Sequence, residues 1–309
     1  MFIGLIASLF AAAANAAPTS GDAAMSAALR SASADILNAG NVRLSPASTI
    51  ETLLRDLKDG PPGVRLLALS DLREFVNRSV RAREAVIDIY MDPQESFSLR
   101  EAAAKTLSRA SQYREVRDRL IDYARFGKDS GLRAVSLKAL YPEAGRVSST
   151  RSEVLAAIVP IAQNKQEAPQ VRRGALWSLF SAMDKSRVRE VVLHPAFYAD
   201  SPTRIVALKS LFEAMNDELV ADRILKLAAD DNEPFEAREV AVRLLSRSVD
   251  DERVLEFLNI LAFGAPATDL RSAAQEALEP GAAAGTKFLR YFHIPHEADG
   301  KFVDPLENE

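Results

Sequence analysis

The apolar positions of this chain recur in a nine-residue block. It reads VRLLALSDL from Val64, LREAAAKTL from Leu99, LRAVSLKAL from Leu132 and VRRGALWSL from Val171. It returns as TRIVALKSL from Thr203, AREVAVRLL from Ala237 and LRSAAQEAL from Leu270. Successive starts lie 35, 33, 39, 32, 34 and 33 residues apart. Position 2 of the block is arginine and position 9 is leucine in all seven copies, while position 5 is alanine in six and Ser136 in the other. Positions 1, 5 and 9 share one face at about 100° per residue, so each block predicts a helix. The small residue at position 5 lets a neighbouring helix approach, and the leucine at position 9 fills the adjoining groove.

Upstream of each block lies another amphipathic stretch, such as TIETLLRDL from Thr49, REAVIDIY from Arg83 and VRDRLIDYARF from Val116. Two of these stretches carry a proline, at Pro160 and Pro195, which kinks a helix. Turn residues separate the two stretches, among them Pro61-Pro62-Gly63, Asp129-Ser130-Gly131 and Asp200-Ser201-Pro202. The unit is therefore a helix, a short turn and a second helix. One such hairpin cannot bury its apolar face alone, so neighbours must stack into a continuous core.

The period, the [VLT]-R-x-x-A-x-x-x-L second helix, the proline-bearing first helix and the Asp/Pro turn resemble HEAT repeats. The resemblance covers residues 46–279. It implies an all-α fold, a right-handed α-α superhelix of about seven helical hairpins. It also implies a structural role for the shared arginines Arg65, Arg100, Arg133, Arg172, Arg204, Arg238 and Arg271, each bonded to a turn aspartate. Asp129 and Asp200 fit that role, whereas the turn before Val64 has no acid within two residues, so the ladder is expected to be incomplete.

With position 5 at the centre of the buried face, positions 3, 7 and 10 project roughly opposite. In HEAT-like arrays the second helices line the concave side, so these positions are candidates for contact with a partner. They supply Lys105, Lys138, Tyr141, Arg173, Trp177, Phe180, Lys209, Phe212 and Arg243. Trp177 is the only tryptophan in a chain of net charge −4, and basic residues flank it on the same face. Tryptophan, tyrosine and arginine dominate binding hot spots, and a basic row attracts acidic segments. The same aromatics could equally fill gaps between repeats.

The ends differ from the array. Residues 2–14, FIGLIASLFAAAA, are uncharged and precede an Ala14-Asn15-Ala16 pattern. That predicts a signal peptide over 1–16, cleavage after Ala16 and a periplasmic or secreted protein with no stable membrane insertion afterwards. Residues 17–45 are expected to cap the first repeat. Residues 280–309, with Phe288, Tyr291 and Phe292, are expected to cap the last or to meet a partner.

Composition narrows the chemistry. The chain has 309 residues, no cysteine and three histidines. That removes disulfides, thiolate metal sites and cysteine nucleophiles. No cofactor and no metal site is expected, since Pro295 interrupts any helix that would align His293 with His296-Glu297. The acidic balance argues against a nucleic-acid partner. No nucleotide-binding, serine-hydrolase or zinc-protease motif occurs. The expected function is a non-catalytic scaffold that binds a protein or an acidic peptide on its concave face. The alternatives are a HEAT-like enzyme of the DNA-glycosylase or bilin-lyase type, or a structural subunit that uses its convex face or tail.

Overall fold

The computed structural model describes residues 46–264, 270–281, 296–298 and 301–303. The expected signal peptide, the N-terminal capping segment and the Phe288, Tyr291 and Phe292 cluster lie outside the described residues. The chain divides into two compact units, 1–49 and 50–309, and the second holds the array.

The array is a stack of seven helical hairpins, that is, an α-α superhelix. The first three are α1 (Pro46–Asp59) with α2 (Pro62–Leu72), α3 (Val80–Met91) with α4 (Phe97–Leu107), and α5 (Arg114–Phe126) with α6 (Ser130–Ala139). A short helix α7 (Tyr141–Gly145) then accounts for the one long interval in the sequence period. The remaining four are α8 (Thr150–Gln163) with α9 (Pro169–Ser178), α10 (Ser186–Tyr198) with α11 (Ser201–Ser210), α12 (Glu218–Ala229) with α13 (Phe235–Leu244), and α14 (Glu252–Phe263) with α15 (Arg271–Leu278).

Local chemistry starts these helices where they start. Ser79, Ser96, Asp129, Asp200, Asp217 and Asp251 accept hydrogen bonds from first-turn N–H groups. Pro62, Pro169 and Pro202 sit in the first turn, where a missing N–H costs nothing. Pro160 and Pro195 lie inside α8 and α10, as the sequence predicts.

The repeat positions fall as their spacing requires. The position-5 residue is buried in all seven blocks, from Ala68 to Ala274, and the position-9 leucine is buried in the first six. Ser136, the exception at position 5, has its own partner: its hydroxyl pairs with Tyr90 Oη at 2.6 Å and lies 2.6 Å from the Leu132 carbonyl. Each second helix packs on the next from α2 through α15, and α3, α5, α8 and α10 form a second row. Position-8 hydroxyls tie the second-helix row together. Thr106 donates to the Leu69 carbonyl (3.0 Å), Ser178 to Leu137 (2.6 Å) and Ser210 to Leu176 (3.3 Å).

Two short strands follow the all-α array. β1 (His296–Ala298) and β2 (Lys301–Val303) pair antiparallel, with Glu297 opposite Phe302.

Candidate binding face and arginine ladders

Helix–helix contact determines which side chains remain accessible on the second helices. From α4 to α13 each is covered by its own first helix and by second helices before and after it. What stays open in the middle of the array is a seam of positions 3 and 7, where the side chains are mostly half-buried. Lys105, Lys138, Arg173, Trp177, Lys209 and Arg243 all lie on this seam.

Position 10 does not join it. Phe180 and Phe212 are only 7% and 1% exposed, so the expectation that they meet a partner is corrected. The reason is local geometry. After position 8 or 9 the second helices tighten into 3-10 turns at Ser108–Ala110, Leu179–Ala182, Phe212–Ala214 and Leu245–Ser248. These turns end the second helix and pack against neighbouring repeats, Leu179–Ala182 against α7 and against Phe212–Ala214, so position 10 is covered instead of lying on the open face. The third repeat has no such turn, because α7 begins there, and Tyr141 stays half-exposed.

Around Trp177 the geometry is close. Gly174 allows α9 to press onto α6: a Cβ there would lie 2.8 Å from the Ala134 carbonyl oxygen and 3.0 Å from its Cα. That approach brings Lys138 Nζ to 5.9 Å from the centre of the Trp177 ring. The Tyr141 ring packs against Trp177 with centroids 4.8 Å apart, and Phe180 backs Tyr141 at 6.2 Å. Burial pulls the Lys138 ammonium down to about 8, with Lys105 and Arg173 pushing the same way against Glu101. Burial lowers Lys209 as well. Toward the ends of the seam the charge is matched. Lys105 pairs with Glu101 at 3.4 Å, and Arg243 pairs with Glu239 at 3.2 Å and with Glu276. Lys138, Arg173 and Lys209 lie around the aromatic pair, with Glu101 acting on Lys138 and Glu236 and Glu239 on Lys209.

The repeat arginines do something more general than the resemblance implies. In the first six repeats the guanidinium Nε donates to a carbonyl near the end of the first helix in the same hairpin. The acceptors are Leu57, Tyr90, Ala124, Ala162, Ala196 and Ala228, at 2.7 to 3.2 Å. Each bond satisfies a carbonyl that has no partner within its own helix. Arg271 reaches the Gly264 carbonyl at 2.8 Å through Nη2 instead. The carboxylate partners come from the turn of the following repeat. Arg65 grips Glu95, Arg133 grips Glu167 (2.7 and 2.9 Å) and Arg204 pairs with Glu233 (2.6 Å). Asp129 and Asp200, expected to be the partners, cap α6 and α11. Arg238 pairs with Asp231 of its own turn (2.8 Å), and Arg100 lies over the Tyr123 ring at 5.2 Å. Arg133 holds the Glu167 carboxyl below the usual carboxylate range.

A second ladder escaped the sequence reading. Arg83 pairs with Glu115 (2.9 Å), Arg117 with Glu153 (3.2 Å), Arg151 with Asp184 (3.0 Å) and Arg189 with Asp217 (2.9 Å), each joining one first helix to the next repeat. The first three arginines are buried, and all four also donate to a carbonyl at the preceding inter-repeat turn: Val76, Gln112, Ala144 and Met183. The 34-residue interval from Arg83 to Arg117 and from Arg117 to Arg151 was the available signal.

Comparison with known proteins bears on the fold. The Escherichia coli protein YibA is similar over 81% of this chain and 90% of its own, with a TM-score of 0.53 and 17% identity. A chain from the complex in which Kap95p binds RanGDP is similar over 83% of this chain and 36% of its own, at TM-score 0.51 and 15% identity. The fold is that of a HEAT-like solenoid. The complex of CpcE and CpcF of phycocyanin lyase from Nostoc gives a TM-score of 0.44 at 15% identity, over 78% of this chain and 97% of that one. No family model and no curated protein matches the sequence. Among the described residues no helix is long and apolar enough to cross a membrane, and no group of three or more acidic or histidine side chains could hold a metal.

Proposed function

We propose that this HEAT-like array is a non-catalytic binding scaffold that takes an acidic protein segment along the seam of its second helices. The observation that carries the reading is the cluster at repeats 3 and 4. There a half-buried lysine is held against the chain's only tryptophan, at a depth that disfavours its charge. A carboxylate arriving over Lys138, Arg173 and Lys209 would stabilise charges that the bare face destabilises, while Trp177 and Tyr141 supply apolar area. The seam runs across several stacked helices at about 8–10 Å per step, which suits an extended segment better than a small molecule.

The test is binding of acidic peptides to the full chain by fluorescence anisotropy. The expected result is salt-sensitive binding that Trp177→Ala combined with Lys138→Glu abolishes; undiminished binding in that double variant removes the reading. Turnover of a substrate by the purified protein would favour an enzyme on the same array. Export belongs to the same proposal. Mass spectrometry of the mature protein would show an N-terminus at Ala17, and a retained Met1 would contradict it.

A further inference from the structure

Among the described residues, one block arginine of the first six repeats has neither a carboxylate nor a ring beside it. In repeats 1, 3 and 5 the guanidinium of the block arginine meets a glutamate from the next hairpin. That glutamate stands four residues before the next block in each case: Glu95, Glu167 and Glu233. In repeat 2 the Tyr123 ring takes its place, and in repeat 6 Asp231 does. In repeat 4 nothing does. The equivalent position before the fifth block is Ala199, and the neighbouring Asp200 is committed to the Thr203 N–H.

Arg172 is nevertheless held like the others. Its Nε donates to the Ala162 carbonyl at 3.1 Å, and its side chain is nine-tenths buried. Among the described residues it makes no ion pair, and its two Nη groups are left to a cleft of about 370 Å³ between α8 and α10. Lys165, Arg187 and His194 line that cleft too, with Glu190 as its one acid. None of Lys165, Arg187 and Glu190 is engaged in an ion pair, so three cations face the space against one carboxylate.

We propose that this cleft is a carboxylate-binding site, in which Arg172 forms with a ligand the fork that Arg133 forms with Glu167. The geometry favours that chemistry. Fixing Nε on a helix-end carbonyl leaves the two Nη donors presented in parallel, which matches the two oxygens of a carboxylate. Arg187 and Lys165 supply further positive charge at the mouth. The volume is that of a small-molecule site, and it would also admit one acidic side chain of a peptide. The site lies on the first-helix side of the array and does not depend on the reading of the second-helix seam.

The experiment is isothermal titration of the full chain with glutarate, and separately with a glycine-flanked peptide carrying one glutamate. Arg187→Glu combined with Lys165→Glu changes only exposed side chains, and Arg172→Lys keeps the charge but loses the fork. Saturable binding of either probe that weakens about tenfold or more in both variants supports the site. Glutarate binding identifies a free dicarboxylate as the source, and binding of the peptide alone identifies a protein side chain. Absence of saturable binding by both probes would overturn the proposal. So would equal affinity in Arg172→Lys, or sulfate binding as tightly as the carboxylates. Should Arg172→Lys fail to fold, the double variant of exposed residues decides the question.

Discussion

The step from repeat 3 to repeat 4 and the step from repeat 4 to repeat 5 are built from the same parts and finish differently. In the first, Arg133 closes on Glu167 across the turns, Gly174 lets α9 press onto α6, and Ser178 hydrogen-bonds the Leu137 carbonyl. In the second, Ser210 still reaches back to Leu176 and Arg151 still pairs with Asp184, yet Arg172 opens onto a cleft. A solenoid is stabilised by nearest-neighbour interfaces, so each interface can be tuned almost independently. One step can be sealed for stability while the adjacent one keeps polar groups available.

That contrast can be broken most severely at Gly174. Replacing a helical glycine with a larger residue ordinarily gains stability through helix propensity. Here a side chain must enter backbone already in contact, so Gly174→Val should cost roughly 3 kcal/mol in urea denaturation. It should also loosen the Lys138–Trp177 contact, measurable as a change in tryptophan fluorescence.

Next comes the closed rung. Glu167→Ala leaves Arg133 half-buried without its carboxylate, and the expected loss is about 2 kcal/mol. The acid response follows with a definite sign. The folded-state carboxyl titrates below its ordinary value of 4.5, so the rung's contribution is complete above that pH and disappears as pH falls through the lower folded value. Denaturation at pH 7 and again below pH 4 should therefore show the wild type losing its advantage over the variant.

Lys138→Met reverses the direction. The ammonium is disfavoured in the folded state, so the wild-type lysine opposes folding while it is charged. The variant should be more stable at pH 7 by about 1–2 kcal/mol. Its advantage should shrink as pH rises from about 8 to 10.5, where the wild-type lysine loses its proton first in the folded state. If the variant gained stability and lost acidic-peptide binding together, the lysine would be marked as kept for contact.

The smallest effect is expected at the exposed Arg81–Glu51 pair. Arg81→Ala should change stability by less than about 0.5 kcal/mol, because solvent screens two mobile side chains.

The sequence makes some of this legible and hides the rest for identifiable reasons. Positions 5 and 9 stand out because burial repeats wherever helices stack at one spacing, so Ala103, Leu107 and their equivalents reveal the architecture. Phe180 and Phe212 mislead because the second helix ends around them, and the turn that carries each one is covered by neighbouring repeats. Glu95, Glu167 and Glu233 are hard to find because each serves the preceding arginine and occurs only in alternate turns. Arg83 and Arg117 lie in first helices whose apolar pattern is less regular. Arg172 is invisible as a special residue: it matches its six counterparts in the block, and Arg100 also lacks a glutamate in the following turn but takes the Tyr123 ring instead.

The alternation of sealed and unsealed turn edges makes the spring constant of the array uneven from coil to coil. Shear along the edge meets resistance where a glutamate bridges two hairpins, and much less at Arg172. The pair of buried Arg151 with exposed Asp184 joins the same two repeats nearby and acts as a hinge pin beside the compliant edge. Bending imposed on the middle of the stack will accordingly concentrate at this joint, opening or narrowing the space between α8 and α10.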